Sequence, residues 1–192
     1  MAFTAPVATG RSVTGINSAK LAMWWLLSSE IVIFGGLVVV YLLLRLHNPG
    51  WGDEAAHTNV FAGALNTFVL LTSSLFIALA HKYAGLKETA KVNKFMLLTV
   101  LGGLIFLVVK AYEYTTEIMH GFTLFKSVFW SFYYVATFIH ASHVIVGMIA
   151  IYIVSVGAKN GKNLHRVEVV GIYWHFVDLV WIFLFPLLYI AK

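Results

Sequence analysis

Ionisable side chains set inside long apolar runs are the residues of this chain best placed to do chemistry. Glu30 stands ten residues after Lys20, and Asp178 ten residues after Glu168. On a helix that separation is a rise of about 15 Å, near the middle of a hydrocarbon layer about 30 Å thick. A charge at that depth costs at least about 2.5 kcal/mol on insertion scales, so each carboxyl must face protein, face water or take up a proton. For Glu30 two uses stay open: a hydrogen-bonded or protonated carboxyl at a helix contact, and a group that handles protons. For Asp178 the structural use is favoured, because His175 lies three residues earlier on the same helix face as a ready partner.

Two more histidines, His140 and His143, share a stripe with Ala136 and Gly147 at spacings of four, three and four. Such a stripe of small and polar groups packs against a neighbouring helix. Two imidazoles at i, i+3 supply only two metal ligands, and haem held between histidines needs ligands from different helices. Hydrogen bonds across helices are therefore the expected role of His140, His143 and His175. With no cysteine in the chain, thiolate metal sites, iron–sulfur clusters and disulfides are excluded. Lys110, Glu113 and Glu117 follow one another at three and four residues, a ladder predicted to be ion-paired and solvated at the membrane surface.

The elements that must carry these groups are membrane spans. The chain has 192 residues, 60% of them hydrophobic and 11% charged, and a mean hydropathy of +0.86, far from the balance of a soluble domain. About 20 apolar residues suffice to cross the hydrocarbon. Five runs reach that length: residues 21–44, 60–80, 95–114, 127–156 and 169–190. The alternation of a barrel strand is absent from all of them, so an all-α bundle of five transmembrane helices is predicted. Residues 1–19 read as a cytoplasmic N-terminal segment with no cleavable signal, and 20–192 as the five-helix domain.

Lysines and arginines collect on the side from which a membrane protein is not translocated. With the N-terminus inside, the inner side holds Arg11, Lys20, Lys82, Lys87, Lys91, Lys94, Lys159, Lys162 and Arg166, against Arg45, Lys110, Lys126 and Lys192 outside. That bias predicts an N-in, C-out topology. It also accounts for the net charge of +5 without nucleic acid as a partner. Tyr112, Tyr114, Trp130, Tyr133 and Tyr134 lie near the same outer interface and are expected to form an aromatic belt. Gly35 with Gly36, Gly102 with Gly103, and Thr72, Ser73 and Ser74 should let helices approach closely.

Taken together, these segments resemble subunit III of the haem-copper cytochrome c oxidases. The resemblance rests on Ser29 and Glu30 before an apolar run to Arg45, on Leu65, Asn66, Thr67, Leu70, Leu71 and Ser73, and on Ala111, Tyr112, Glu113 and Tyr114. It continues through Phe132, Val135, Ala136, Thr137, His140, His143, Val144 and Gly147, and is strongest at Tyr173, Trp174, His175, Phe176, Val177, Asp178, Leu179, Val180 and Trp181. It covers about residues 20–192 and is similar to five-span members, without the first two spans of the seven-span ones. Phe138 and Ala141 stand where that family usually has glycine.

The resemblance implies a redox-inactive subunit in a complex that reduces oxygen to water and pumps protons. The haem and copper would belong to partner subunits, with no cofactor in this chain. Subunits I and II and phospholipids are the implied partners, with other respiratory complexes as further contacts. The plasma membrane, rather than the mitochondrial inner membrane, is the expected location. Glu30, Glu113, His140, His143, His175 and Asp178 are then proton-supporting or structural polar groups. Asn66, Tyr173, Trp174 and Trp181 are candidates for lipid or subunit contact. Two alternatives share the sequence: subunit III of a quinol oxidase, and a small proton-coupled transporter relaying through Glu30 and Asp178. No pair of broken helices favours the transporter, and Pro186 is the one proline within a span.

Overall fold

The computed structural model describes residues 18–191. Most of the expected segment 1–19, including Arg11, and the closing Lys192 lie outside the described residues. Within them the fold is all-α, with α1 (Ser18–His47), α2 (Trp51–Ala55), α3 (Val60–Gly85), α4 (Thr89–Met119), α5 (Val128–Lys159) and α6 (His165–Phe185) running into a π-helical turn, Pro186–Ile190. Five of these segments are long and apolar enough to cross a membrane. The predicted spans are therefore correct in number, and each helix runs a few residues beyond its apolar run at one end or both. The addition is α2, a single turn between the first two spans.

Side chains and backbone close the helices locally. The Asn59 side chain accepts from the Ala62 N–H at 3.1 Å, and that of Ser127 accepts from the Trp130 N–H at 3.4 Å. Three helix ends share one closure, in which an N–H reaches back five residues: Glu88 to Tyr83, Phe122 to Glu117, and Lys162 to Gly157. The residue before each donor is left-handed. Gly121 and Gly161 occupy two of those positions without a Cβ penalty, but Lys87 holds the third at φ 58°.

α6 is the centre of the bundle. Half of its most apolar stretch is buried, against 17% for α1, which stands at the edge. α3 packs on α4 and α6, α5 on α4 and α6, and α1 chiefly on α6. Small residues explain the closest contacts. Trp174 lies between Gly103 of α4 and Gly147 of α5, where an added Cβ would come within 2.8 Å and 2.9 Å of its ring. Its indole N–H donates to Ser73 Oγ of α3 at 3.0 Å, so one side chain ties α6 to three helices. Gly102 likewise admits Ser73. Gly35 and Gly36 do not behave as expected: nothing approaches either within 4 Å, because α1 meets the bundle through other positions.

Leu27 and Phe34 bury apolar surface there, and polar contacts are spread along the length of α1. Lys20 pairs with Glu168 at 2.6 Å at one end. Glu30 meets His143 at 3.0 Å in the middle, and Tyr41 donates to the Leu187 carbonyl at 2.5 Å at the other end. The last contact depends on the π-helical turn, whose Ala191 N–H returns to the Pro186 carbonyl at 2.8 Å.

Candidate functional site

The Glu30–His143 contact is the one place where a mid-membrane acid of the edge helix meets a mid-membrane base of the bundle. Phe34, one turn beyond Glu30, packs edge-on against the His143 ring with centroids 5.2 Å apart. His143 Nδ1 lies 2.8 Å from the Ile139 carbonyl oxygen. A carbonyl only accepts, so Nδ1 carries a hydrogen. The opposite nitrogen, Nε2, faces Glu30 Oε2 at 3.0 Å, and a hydrogen bond there needs one more proton on either atom. With that proton the pair is neutral as a whole, whether imidazolium with carboxylate or imidazole with carboxylic acid. The two side chains are 13% and 20% exposed and line a cleft of about 200 Å³ with Leu26, Ser142, Val146 and Tyr173. The Tyr173 hydroxyl donates to the His143 carbonyl at 3.4 Å.

The expectation that His175 partners Asp178 is overturned. His175 Nδ1 instead meets Ser74 Oγ of α3 at 2.5 Å. Asp178 is 3% exposed, and neither of its oxygens has a hydrogen-bond partner. Residues three apart on a helix share a face only within about 60°, and here that offset sends Asp178 inward and His175 outward. Of the three histidines expected to bond across helices, His143 and His175 do so. His140 does not. It is fully buried, stacked on Trp181 at 5.2 Å and edge-on to Phe106 at 5.5 Å, with both ring nitrogens unpartnered.

A larger correction concerns Lys110, Glu113 and Glu117. They are not solvated: they are 3%, 2% and 5% exposed. Lys110 Nζ donates to Glu113 Oε2 at 3.1 Å, Tyr133 Oη at 2.8 Å and Tyr189 Oη at 2.5 Å, using all three of its hydrogens. The Tyr133 hydroxyl can donate to Glu113 Oε1 at 3.0 Å or Glu117 Oε1 at 3.1 Å. The rings of Tyr114, Tyr133, Trp181 and Tyr189 surround the ammonium group at 4.5–5.6 Å. The aromatic belt is corrected with it. Tyr112 is 69% exposed, but Trp130, Tyr133 and Tyr134 are buried against this cluster. Trp130 is held by α2, whose Glu54 Oε2 accepts its indole N–H at 2.7 Å.

Asn66, Tyr173, Trp174 and Trp181, expected at lipid or subunit contacts, lie inside the bundle instead. Trp181 donates to Thr67 Oγ1 at 3.0 Å, while both amide atoms of Asn66 are unpartnered. A metal or haem fits none of these groups. His140 turns toward α4 and α6, His143 toward α1 and His175 toward α3, so the three imidazoles do not converge. Among the described residues no three His, Asp or Glu side chains form a metal-binding group.

Residues 13–192 match the family model described as cytochrome c oxidase subunit III. A cytochrome c oxidase subunit 3 of Corynebacterium diphtheriae is 36% identical over 173 residues, covering 86% of this chain and 84% of its own. A probable quinol oxidase subunit 3 of Staphylococcus epidermidis is 30% identical, covering 88% and 87%. A relative from Aeropyrum pernix, named heme-copper oxidase subunit I+III, is 32% identical over 91% of this chain and 23% of its own length.

Proposed function

Because this chain belongs to the cytochrome c oxidase subunit III family, we propose that it is a redox-inactive subunit that stabilises the haem-copper subunit and supports proton uptake on the inner side. Membership makes it a subunit of a haem-copper oxidase. The haem and copper supply the electron transfer and oxygen chemistry, and in this reading they are held by partner subunits, with subunit II and phospholipids as further contacts. Cytochrome c is the proposed donor and the plasma membrane the proposed location. The Staphylococcus epidermidis relative, named for quinol, marks the alternative donor.

The observation that carries the proton-supporting role is the Glu30–His143 pair. It holds one proton between two bases at mid-depth, beside a cleft, on the helix least secured to the bundle. The proton can pass between the two bases while the pair as a whole stays neutral in its low-dielectric site.

Glu30→Gln keeps the shape and a hydrogen bond to His143 but removes the exchangeable proton, whereas Glu30→Ala removes both. The Gln variant is expected to assemble and reduce oxygen at the normal initial rate, then inactivate sooner during sustained turnover. The Ala variant should also loosen the subunit from the complex. Wild-type durability in the Gln variant would reduce the pair to a packing contact. Immediate and complete loss of oxygen reduction in an assembled Gln variant would place Glu30 in the catalytic machinery and overturn the proposal.

A further inference from the structure

His175 is an exposed imidazole at the wrong depth for lipid. It lies ten residues into the final span, about 15 Å from that end of the helix. Its Nδ1 is taken by Ser74 of α3, and among the described residues Nε2 has no hydrogen-bond partner. Whichever nitrogen carries the hydrogen, Nε2 presents either a donor or an acceptor to the outside. Acyl chains can satisfy neither, and polar side chains at this depth almost always face protein or a water-filled cavity. Beneath it, one turn along α6, the nearly fully buried Asp178 carboxyl is also unpartnered.

The surroundings of His175 differ from the other faces of the bundle. Exposed positions at comparable depth on α4 and α5 are apolar: Leu101, Leu104, Ile105, Ile145 and Ile149. On the seam between α3 and α6, exposed Leu71, Leu75 and Leu179 flank the single polar opening at His175. An isolated polar group ringed by apolar side chains is the layout of a protein contact, with the ring excluding water or lipid from the central bond.

We propose that the α3–α6 seam centred on Ser74 and His175 docks a transmembrane helix of the haem-copper subunit, which offers a hydroxyl or amide side chain to His175 Nε2. This rests on the subunit reading above. That the two subunits lie side by side is consistent with the name of the Aeropyrum pernix relative, which places I and III in one chain.

Three measurements on the complex purified from its own membranes test it. With a benzophenone amino acid in place of Leu179, illumination should cross-link this chain to the haem-copper subunit, identified by mass spectrometry. Adducts with lipid alone would overturn the proposal. His175→Leu should lower the fraction of this chain retained through detergent purification roughly fivefold, the size expected for one interhelical hydrogen bond, whereas His175→Gln should hold. Full retention of the Leu variant contradicts the proposal. Ile149→Ala, on the exposed apolar face of α5 away from the seam, should leave retention unchanged. An equal loss there would mean that retention does not depend on the face altered and would contradict the docking site. If wild-type chain fails to copurify with a haem-bearing subunit, the subunit reading falls and this one with it. If wild type copurifies and Leu179 cross-links only to lipid, this inference alone falls.

Discussion

Lys110 is 3% exposed and spends its three hydrogens on Glu113, Tyr133 and Tyr189, so the bundle around it depends on that one charge. Its i+3 and i+7 acids suggested a solvated ladder, yet the same residues continue the buried face of α4, which runs through Val92, Met96, Thr99, Gly103 and Phe106 at alternating steps of three and four. Following that register across the charged residues would have revealed their burial. What no spacing could show is that Tyr133 and Tyr189 come from other elements to complete the shell. Lys110→Met should be severe, because it leaves two acids buried without a counter-charge, a loss of about 3–5 kcal/mol. A thermal melt of the purified complex checks it, and Lys110→Met combined with Glu113→Gln and Glu117→Gln should recover most of the loss. His175 and Asp178 teach a similar lesson. Their types and depth were legible, but the partner of His175 lies on α3, about a hundred residues away, and only the packing of α6 could name it.

At the scale of elements, the number and kind of spans followed from apolar run length alone, since no other backbone satisfies itself in lipid. Small-residue pairs were informative only where a neighbour actually lies. Gly102 and Gly103 sit under Ser73 and Trp174, whereas Gly35 and Gly36 face open space on the edge helix. Gly147→Val should therefore displace Trp174 and reduce assembly sharply, with less mature subunit in the membrane by immunoblot, while Gly36→Ala should match wild type. Neither α2 nor the π-helical turn was legible, because each is a short local choice stabilised by distant groups: Trp130 for α2, and Tyr41 with Lys110 for the turn. Lys87 offers a test of helix closure. Its left-handed backbone costs a side chain roughly 1–2 kcal/mol, so Lys87→Gly should raise the melting temperature of the complex slightly if the α3–α4 connection is as described.

For the whole molecule, we propose from the charge asymmetry that the α3–α4 and α5–α6 connections lie inside and the C-terminus outside. A reporter active only beyond the cytoplasm should give signal when fused after Lys192 and stay silent within residues 82–94. The reverse pattern would invert the molecule and put the lysine-rich α3–α4 connection outside. The family was legible from local strings such as Tyr173–Trp181, but the reasons for those strings were not. Trp174 and Trp181 proved to be internal ties between helices instead of contacts with lipid or other subunits.

In the proposed role, this chain works inside a haem-copper oxidase and carries none of its redox chemistry. The most direct measurement is mass spectrometry, with an optical spectrum, of the tagged chain purified from its native membrane in mild detergent. The expected result is equimolar recovery with a haem-bearing, copper-binding subunit, the haem absorbance leaving with that subunit when the two are separated. Recovery of this chain as a homo-oligomer free of any haem-bearing partner would contradict the claim.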